Sequence, residues 1–276
     1  SFDMKKIDLE NTAYKKDDKK NFIRLILDII YPQNLSCVFC KMPISRSNKY
    51  SVCKSCYDQM VFIINACPKC GKPIINTSLK NDNDILDCDY CRNKSTIYDR
   101  NISFLEYEDK SKHLVFDLKY NSKTFLANNI SDIMTDMLKE IYPDVIASID
   151  YITYVPMSKK RSKDRGFNQA GEIAKRLGKN FDIECLDMID RTRDTRKLHG
   201  LNADDRKREL RGVFKVQDDY TKYLEDRVVA VVDDIFTTGS TLNEIAKVLK
   251  LSGAKEVIGL TFLTGKYEKP IIEYIE

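Results

Sequence analysis

Two groups of residues in this chain have the types and spacing to do chemistry. The first is eight cysteines in four CxxC pairs: Cys37/Cys40, Cys53/Cys56, Cys67/Cys70 and Cys88/Cys91. A CxxC pair presents two thiolates to one metal ion, and two pairs complete a tetrahedral four-thiolate zinc site. The pairs are separated by 12, 10 and 17 residues, the last of these within the ~15–20 usual for such sites. A lone CxxC can be redox-active, but four of them within 55 residues argue for metal. The second group is "VVAVVDDIFTTGSTL", Val228 to Leu242, in which an apolar run meets two aspartates, then hydroxyls and a glycine.

An internal repeat bears on how the cysteines pair. "CVFCKMPI" at 37–44 is echoed by "CPKCGKPI" at 67–74, each followed by a plainer pair, "CKSC" or "CDYC". Two copies of one unit predict two sequential sites, Cys37/Cys40/Cys53/Cys56 and Cys67/Cys70/Cys88/Cys91. Interleaved pairing is the alternative; loop-closure entropy, ~0.6 kcal/mol per doubling of loop length, does not separate the two. Four thiolates leave no open position for water, so both zincs are expected to be structural, each contributing roughly 10–16 kcal/mol to a segment with little core of its own. Cys185, alone between Glu184 and Leu186, is expected to be a small buried apolar side chain.

In the second group, Val228–Val232 reads as a strand covered on both faces of a parallel sheet. Ligands of such sheets bind beyond the carboxyl ends of the strands, which is where Asp233 and Asp234 stand. From Thr237 through Thr238, Gly239 and Ser240 to Thr241 the chain can form a hydroxyl-lined turn at a helix N-terminus, a cradle for phosphate. Carboxylates repel a phosphate but accept hydrogen bonds from ribose hydroxyls. The expected ligand is therefore a sugar phosphate with free vicinal hydroxyls. Plainer readings stand beside this one. A double Asp at a strand end also suits magnesium or a phospho-acceptor, and Thr241 with Glu244 has the spacing of a capping box, which needs no ligand. The loop is not a Walker loop, because no GxxxxGK[ST] occurs.

These residues need a scaffold, and the rest of the chain supplies one. Of 276 residues 42% are hydrophobic and 32% charged, with a net charge of +4, the composition of a soluble globular protein without a polyanion partner implied by charge alone. The longest apolar stretch, "FIRLILDII", is interrupted by Arg24 and Asp28 and is far short of the ~20 residues of a membrane span. Tyr31-Pro32 follows it where a signal peptide would place small residues, so the protein is read as cytoplasmic. "NISFLEYED", "IDYITYVPM", "VVAVV" and "EVIGLTFLTG" read as strands; "KSKHLVFDLKY", "TFLANNISDIMTDMLKEIY" and "TLNEIAKVLKLSG" read as helices. "FNQAGEIAKRLGKN" is a helix whose face is Phe167, Ala170, Ile173, Ala174 and Leu177, with Gly178 as its stop. The expected organisation is a flexible N-terminus over 1–21, a helix plus the cysteine unit over 22–95, and an α/β domain with a mainly parallel sheet flanked by helices over 96–276.

At Val228–Leu242 the sequence resembles the signature with which type I phosphoribosyltransferases bind 5-phosphoribosyl 1-pyrophosphate (PRPP): apolar strand, two acidic residues, then T-T-G-x-T. The order of the other segments resembles the ComF family of competence proteins. These are "LILDIIYPQNLSCVFC", "VPMSKKRSKDRGFNQA" and "RTRDTRKLHGLNADDRKRELRGVF", so the likeness spans nearly the whole chain from about Phe22. Two departures are visible: the family's second Pro and following Leu have no counterpart after Met157, and His199 stands near where Gln is frequent. The resemblance implies a type I phosphoribosyltransferase-like fold preceded by a double zinc ribbon. It puts Asp233 and Asp234 on the ribose hydroxyls and Thr237, Thr238, Gly239, Ser240 and Thr241 around the 5′-phosphate. Pro156, Met157, Ser158 and Lys159 would form the pyrophosphate loop, with a magnesium ion bridging pyrophosphate and ribose. Arg165 is the candidate cation near the leaving group, a helix-flanking salt bridge being its plainer use.

Residues 157–215 carry 17 Lys/Arg against 10 Asp/Glu. A solvated face is one reading of such runs. Another is a surface that tracks the phosphates of single-stranded DNA through Lys160, Arg161, Lys163, Arg191, Arg193, Arg196, Lys197 and Arg206. Lys41, Lys54, Lys69 and Lys72 would join it, with Phe39, Tyr57 and Tyr90 as stacking candidates. Two functions follow. One is a competence protein with a PRPP-binding domain acting with incoming single-stranded DNA and, by resemblance, with the family's helicase-like partner. The alternative is a phosphoribosyltransferase of nucleotide or base metabolism with no nucleic-acid role.

Overall fold

The computed structural model describes residues 36–45, 47–74, 88, 90–91, 94–107, 125–158, 167–195 and 202–265. They pack as two units, one ending at Tyr57 and the other beginning at Asp58. The helices expected before the first knuckle and over 110–120 lie outside the described residues.

The first unit holds the first cysteine repeat. The Cys37 amide donates to Met42 O at 2.8 Å and the Lys41 amide to Cys37 O at 3.0 Å, so the chain turns tightly around the first thiol pair. Lys41 adopts the left-handed conformation at φ 64°, and Ser36 bridges Pro43. A 3-10 turn at Lys49–Ser51 and a one-turn helix, α1 (Lys54–Tyr57), carry the second pair.

The second unit begins with the other repeat, folded the same way: Cys67 N–H donates to Lys72 O at 2.8 Å, Gly71 N–H to Cys67 O at 2.9 Å, and Ala66 bridges Pro73. The sheet follows. Its strands are β1 (Arg100–Glu106), β2 (Tyr151–Tyr154), β3 (Glu184–Cys185), and, after an antiparallel pair formed by β4 (Ile189–Arg191) and β5 (Phe214–Val216), β6 (Val228–Phe236) and β7 (Glu256–Thr264). The order in the five-stranded sheet is β1-β7-β6-β2-β3, with every pairing parallel. Residues Val61–Ile63 lie antiparallel along β1, with Ile63 N–H donating to Phe104 O and Glu106 N–H to Val61 O, which covers an edge that would otherwise offer unpaired backbone groups.

Helices α2 (Phe125–Ile141), α3 (Pro143–Ser148), α4 (Gln169–Phe181), α5 (Ala203–Leu210) and α6 (Ser240–Leu251) complete the unit. Alternation along β6 explains its unbroken apolar run. Val229 and Val231 share a core with Leu242, Ile245 and Leu249 of α6, which leaves Ala230 and Val232 for the face that α4 covers. Ile173, Ala174 and Leu177 of α4 are all fully buried, as the 3.6 period requires, and α4 packs on α2. The helix does not stop at Gly178. It runs on to Phe181 and ends at Asp182 in the left-handed conformation. Gly178 answers a packing need instead, since a Cβ there would sit 2.6 Å from Ile183 O and 3.2 Å from Cys185. Cys185 is partly buried on β3, and burial pushes its thiol up to about 11.

Candidate functional site

The sulfurs of Cys37, Cys40, Cys53 and Cys56 lie within 4.8 Å of one another, and so do those of Cys67, Cys70, Cys88 and Cys91. The pairing is sequential, as the repeat predicts. Opposed sulfurs are 3.7 Å apart for Cys40 and Cys53, 3.8 Å for Cys67 and Cys91 and 3.7 Å for Cys70 and Cys88. A tetrahedron with ~2.3 Å metal–sulfur bonds has edges of about 3.8 Å, so both clusters fit zinc. The electrostatics agree. Burial and the neighbouring thiols push Cys56 and Cys91 up to about 12, while hydrogen bonds from Cys67 and Cys70 bring Cys88 down to about 2. A divalent cation removes that conflict by binding all four as thiolates.

Within the second unit the ladder of β6 is asymmetric. On the β7 side it continues to Phe236↔Thr264. On the β2 side it stops at Tyr154↔Val232, with one more bond from Val155 N–H to Val232 O at 3.0 Å. Asp233 and Asp234 therefore lie inside the strand, not beyond its end, where the sheet opens toward β2. The chain leaves β2 for β3 and leaves β6 for β7, in opposite directions, which makes this gap the topological switch point of the sheet. Val155, Asp233, Thr237, Gly239, Ser240, Thr241 and Thr261 are among the residues lining the cleft there. Pro156, Met157 and Ser158 leave β2 beside it. Their departure is framed by Asn168, whose amide donates to Val155 O at 3.0 Å while its oxygen caps α4 at Gly171 N, 3.1 Å.

The loop after β6 is held from several sides. Gly239 sits at φ 67° as the N-cap of α6, and a Cβ there would meet the Phe236 ring at 2.9 Å. The capping box expected at Thr241 and Glu244 does not form, because the helix starts earlier, after this left-handed glycine; Glu244 instead accepts from Gly212 N–H at 3.4 Å. Thr238 and Ser240 hydroxyls pair at 2.9 Å. Asp233 accepts from the Asp234 amide at 2.8 Å. The Arg206 guanidinium of α5 donates to the Thr237 hydroxyl, and the Tyr90 hydroxyl donates to Thr237 O at 3.1 Å.

Residues 26–93 match the family of double zinc ribbon domains and residues 163–273 that of phosphoribosyl transferase domains. The "DNA utilization protein YhgH" of Salmonella typhimurium is 30% identical over 226 residues, covering 80% of this chain and 93% of that protein. The chain belongs to the ComF family. "Competence protein ComFC" of Bacillus subtilis is 26% identical over 206 residues, 73% of this chain and 79% of its own. A purine phosphoribosyltransferase of Pyrococcus horikoshii aligns over 53% of this chain and 92% of its own, at 20% identity and a TM-score of 0.30.

In this ComF-family chain the parallel sheet is of phosphoribosyltransferase type and the cysteine repeats form the double zinc ribbon. Among the described residues no helix is long and apolar enough to cross a membrane. Lys159, Lys160, Arg161, Lys163, Arg165, Arg196 and Lys197 lie outside the described residues. Arg191 and Arg193 are engaged within the chain: Arg191 stacks 5.6 Å from Phe214 and donates to Arg193 O and the Thr195 hydroxyl, and Arg193 donates to Glu209 O at 2.8 Å in the last turn of α5. Of the ribbon side chains expected to face a polyanion, Lys72 is only 5% exposed and Tyr90 8%; both point inward because the second ribbon is packed on the sheet unit. Arg206, read from its basic run as a DNA contact, stands at the loop after β6, on the Thr237 hydroxyl. Thr261 and Tyr98, which frame the cleft and its loop, carried no motif signal, and Asn168 stood inside the segment "VPMSKKRSKDRGFNQA" without a role assigned to it.

Proposed function

We propose that this protein binds PRPP with magnesium in the crevice between β2 and β6 and acts in the handling of single-stranded DNA during competence. The observation that carries the reading is the one-sided end of the β6 ladder, which opens the sheet at Asp233 just ahead of the loop Thr237–Thr241. Asp233 and Asp234 accept the ribose hydroxyls, and the amides and hydroxyls of the loop at the start of α6 hold the 5′-phosphate. Pro156 to Lys159 take the pyrophosphate across the gap, with Arg165 as the further cation. Magnesium bound with PRPP would supply charge neutralisation at the pyrophosphate, and the carboxylates of Asp233 and Asp234 are hard oxygen donors of the kind that would help hold it. In transfer, an acceptor lone pair bonds to the anomeric carbon as the carbon–oxygen bond to pyrophosphate breaks with its electron pair, and the acceptor gives up a proton. The chain's part is orientation and charge stabilisation.

The relatives named for competence and for DNA utilization support the DNA role, with the family's helicase-like partner as the expected protein contact. Arg206 supports a basic surface that reaches the loop itself. The test is pyrophosphate release from PRPP and magnesium, with and without single-stranded DNA or free bases. Release stimulated by DNA is expected; release stimulated by a free base and indifferent to DNA would assign the protein to base metabolism.

A further inference from the structure

Two side chains of the second ribbon reach the start of the loop after β6, one from each of its knuckles. Lys72, two residues beyond Cys70, donates to Thr264 Oγ1 at 3.3 Å and to Gly265 O at 2.7 Å, and Thr264 Oγ1 in turn donates to Phe236 O at 3.1 Å. Tyr90, between Cys88 and Cys91, donates to the next carbonyl along, that of Thr237. The two side chains also touch each other: the Lys72 ammonium lies 4.8 Å from the Tyr90 ring centre and 5.9 Å from that of Phe236. Phe236 is gripped edge-on by Tyr90 and by Tyr98, each with ring centres 6.2 Å away. The ribbon itself is pinned to β1, where the Asn101 side-chain amide donates to Cys70 O at 3.0 Å and the Asn101 backbone N–H donates to Lys69 O at 2.9 Å.

One ion joined to Cys67, Cys70, Cys88 and Cys91 fixes the distance between the two knuckles. It thereby fixes the distance between Lys72 and Tyr90, which bear on consecutive residues where the strand becomes the loop. We propose that Tyr90 is a positioning residue for the sugar-phosphate loop, and that the second zinc cluster sets the loop through it. The proposal rests on the PRPP reading of this loop and deepens it: a metal cluster outside the crevice decides, through Tyr90, how well the loop is shaped for a phosphate. The Thr237 carbonyl accepts this bond in a partly buried setting; without its donor it must turn to water or move, and Thr237 is the first residue the phosphate cradle depends on. Packing alone makes a different demand, because the ring contacts of Tyr90 survive in a Phe.

The lead variant is therefore Tyr90→Phe, which removes one oxygen and keeps the ring, with Tyr57→Phe in the first ribbon as control. Two readouts are needed. In the ligand-free protein, amide hydrogen exchange over Phe236–Leu242 should quicken in Tyr90→Phe and stay at the parent rate in Tyr57→Phe, with two zincs retained in both. With PRPP and magnesium, calorimetry should show affinity lowered severalfold, by about three- to tenfold, in Tyr90→Phe alone, as expected when a partly buried acceptor loses its donor. Unchanged exchange over the loop in Tyr90→Phe overturns the proposal, whatever the ligand does. So does a fall in thermal midpoint with exchange and affinity at parent values, the mark of a packing residue. A parent protein that does not bind PRPP defeats the functional reading instead, and the exchange measurement still decides whether Tyr90 sets the loop.

Discussion

The two cysteine repeats share a fold and differ in surroundings. Both make the same turn, with the first cysteine amide on the carbonyl five residues ahead and a left-handed residue after the second cysteine. In the first copy that residue is Lys41, exposed to solvent. In the second it is Gly71, where a Cβ would lie 2.5 Å from the backbone oxygen of Asn101. The next position is Met42, 63% exposed, in one copy and Lys72, 5% exposed, in the other. The metal folds both repeats by the same chemistry. What distinguishes them is that the second packs against β1 as part of the sheet unit and lends side chains to the loop after β6. A repeated zinc module thus carries an exposed Lys41 and Met42 at the turn of one copy, and in the other lends Lys72 and Tyr90 to the wall of a candidate ligand site.

The sharpest way to break this comparison is to remove each metal in turn. Cys67→Ser and Cys37→Ser should each lower the zinc content from two to one by elemental analysis. Only Cys67→Ser should disturb the sheet unit, by at least ~10 °C in its calorimetric midpoint, since a structural zinc carries several kcal/mol or more of folding free energy. Equal effects of the two variants would erase the distinction. A smaller change tests the packing directly. Gly71→Ala forces a Cβ onto a backbone oxygen that cannot withdraw, on top of left-handed strain, and should cost about 2–4 kcal/mol in urea unfolding. Lys41→Ala, at the matching position, should stay within ~0.5 kcal/mol. Smaller still are the expected effects on DNA. Single-stranded DNA affinity should fall linearly with salt on a log–log plot, by ~0.7 per phosphate neutralised. Replacing Lys160, Arg161 and Lys163 by Ser should lower that slope by about 2 and nearly keep PRPP affinity. Arg206→Ser should weaken both ligands, because its guanidinium sits on Thr237. A slope indifferent to all four residues would move the DNA surface elsewhere.

Much of this arrangement was legible in the residues themselves. The repeat at 37–44 and 67–74 predicted sequential clusters, and the 3.6 period picked out the buried face of α4. Local signals failed where a distant neighbour decided the outcome. Gly178 looked like a helix stop but is a glycine because Ile183 and Cys185 approach it. Thr241 and Glu244 had capping-box spacing, yet Gly239 in a left-handed conformation starts the helix earlier. Lys72 and Tyr90 looked like surface groups of a basic module; their partners lie 192 and 147 residues further along the chain, beyond the reach of any pattern. One clue was present: Gly71 in place of Lys41 marks the copy against which another backbone comes close.

The most direct test of the account is the calorimetric affinity for PRPP with magnesium of the parent and of the double variant Asp233→Asn, Asp234→Asn. Each lost charged acceptor should cost roughly 1.5–3 kcal/mol, so the double variant should fold normally, keep two zincs and bind at least about tenfold more weakly. A folded double variant with the parent's affinity would contradict the assignment of the crevice between β2 and β6 to the ribose.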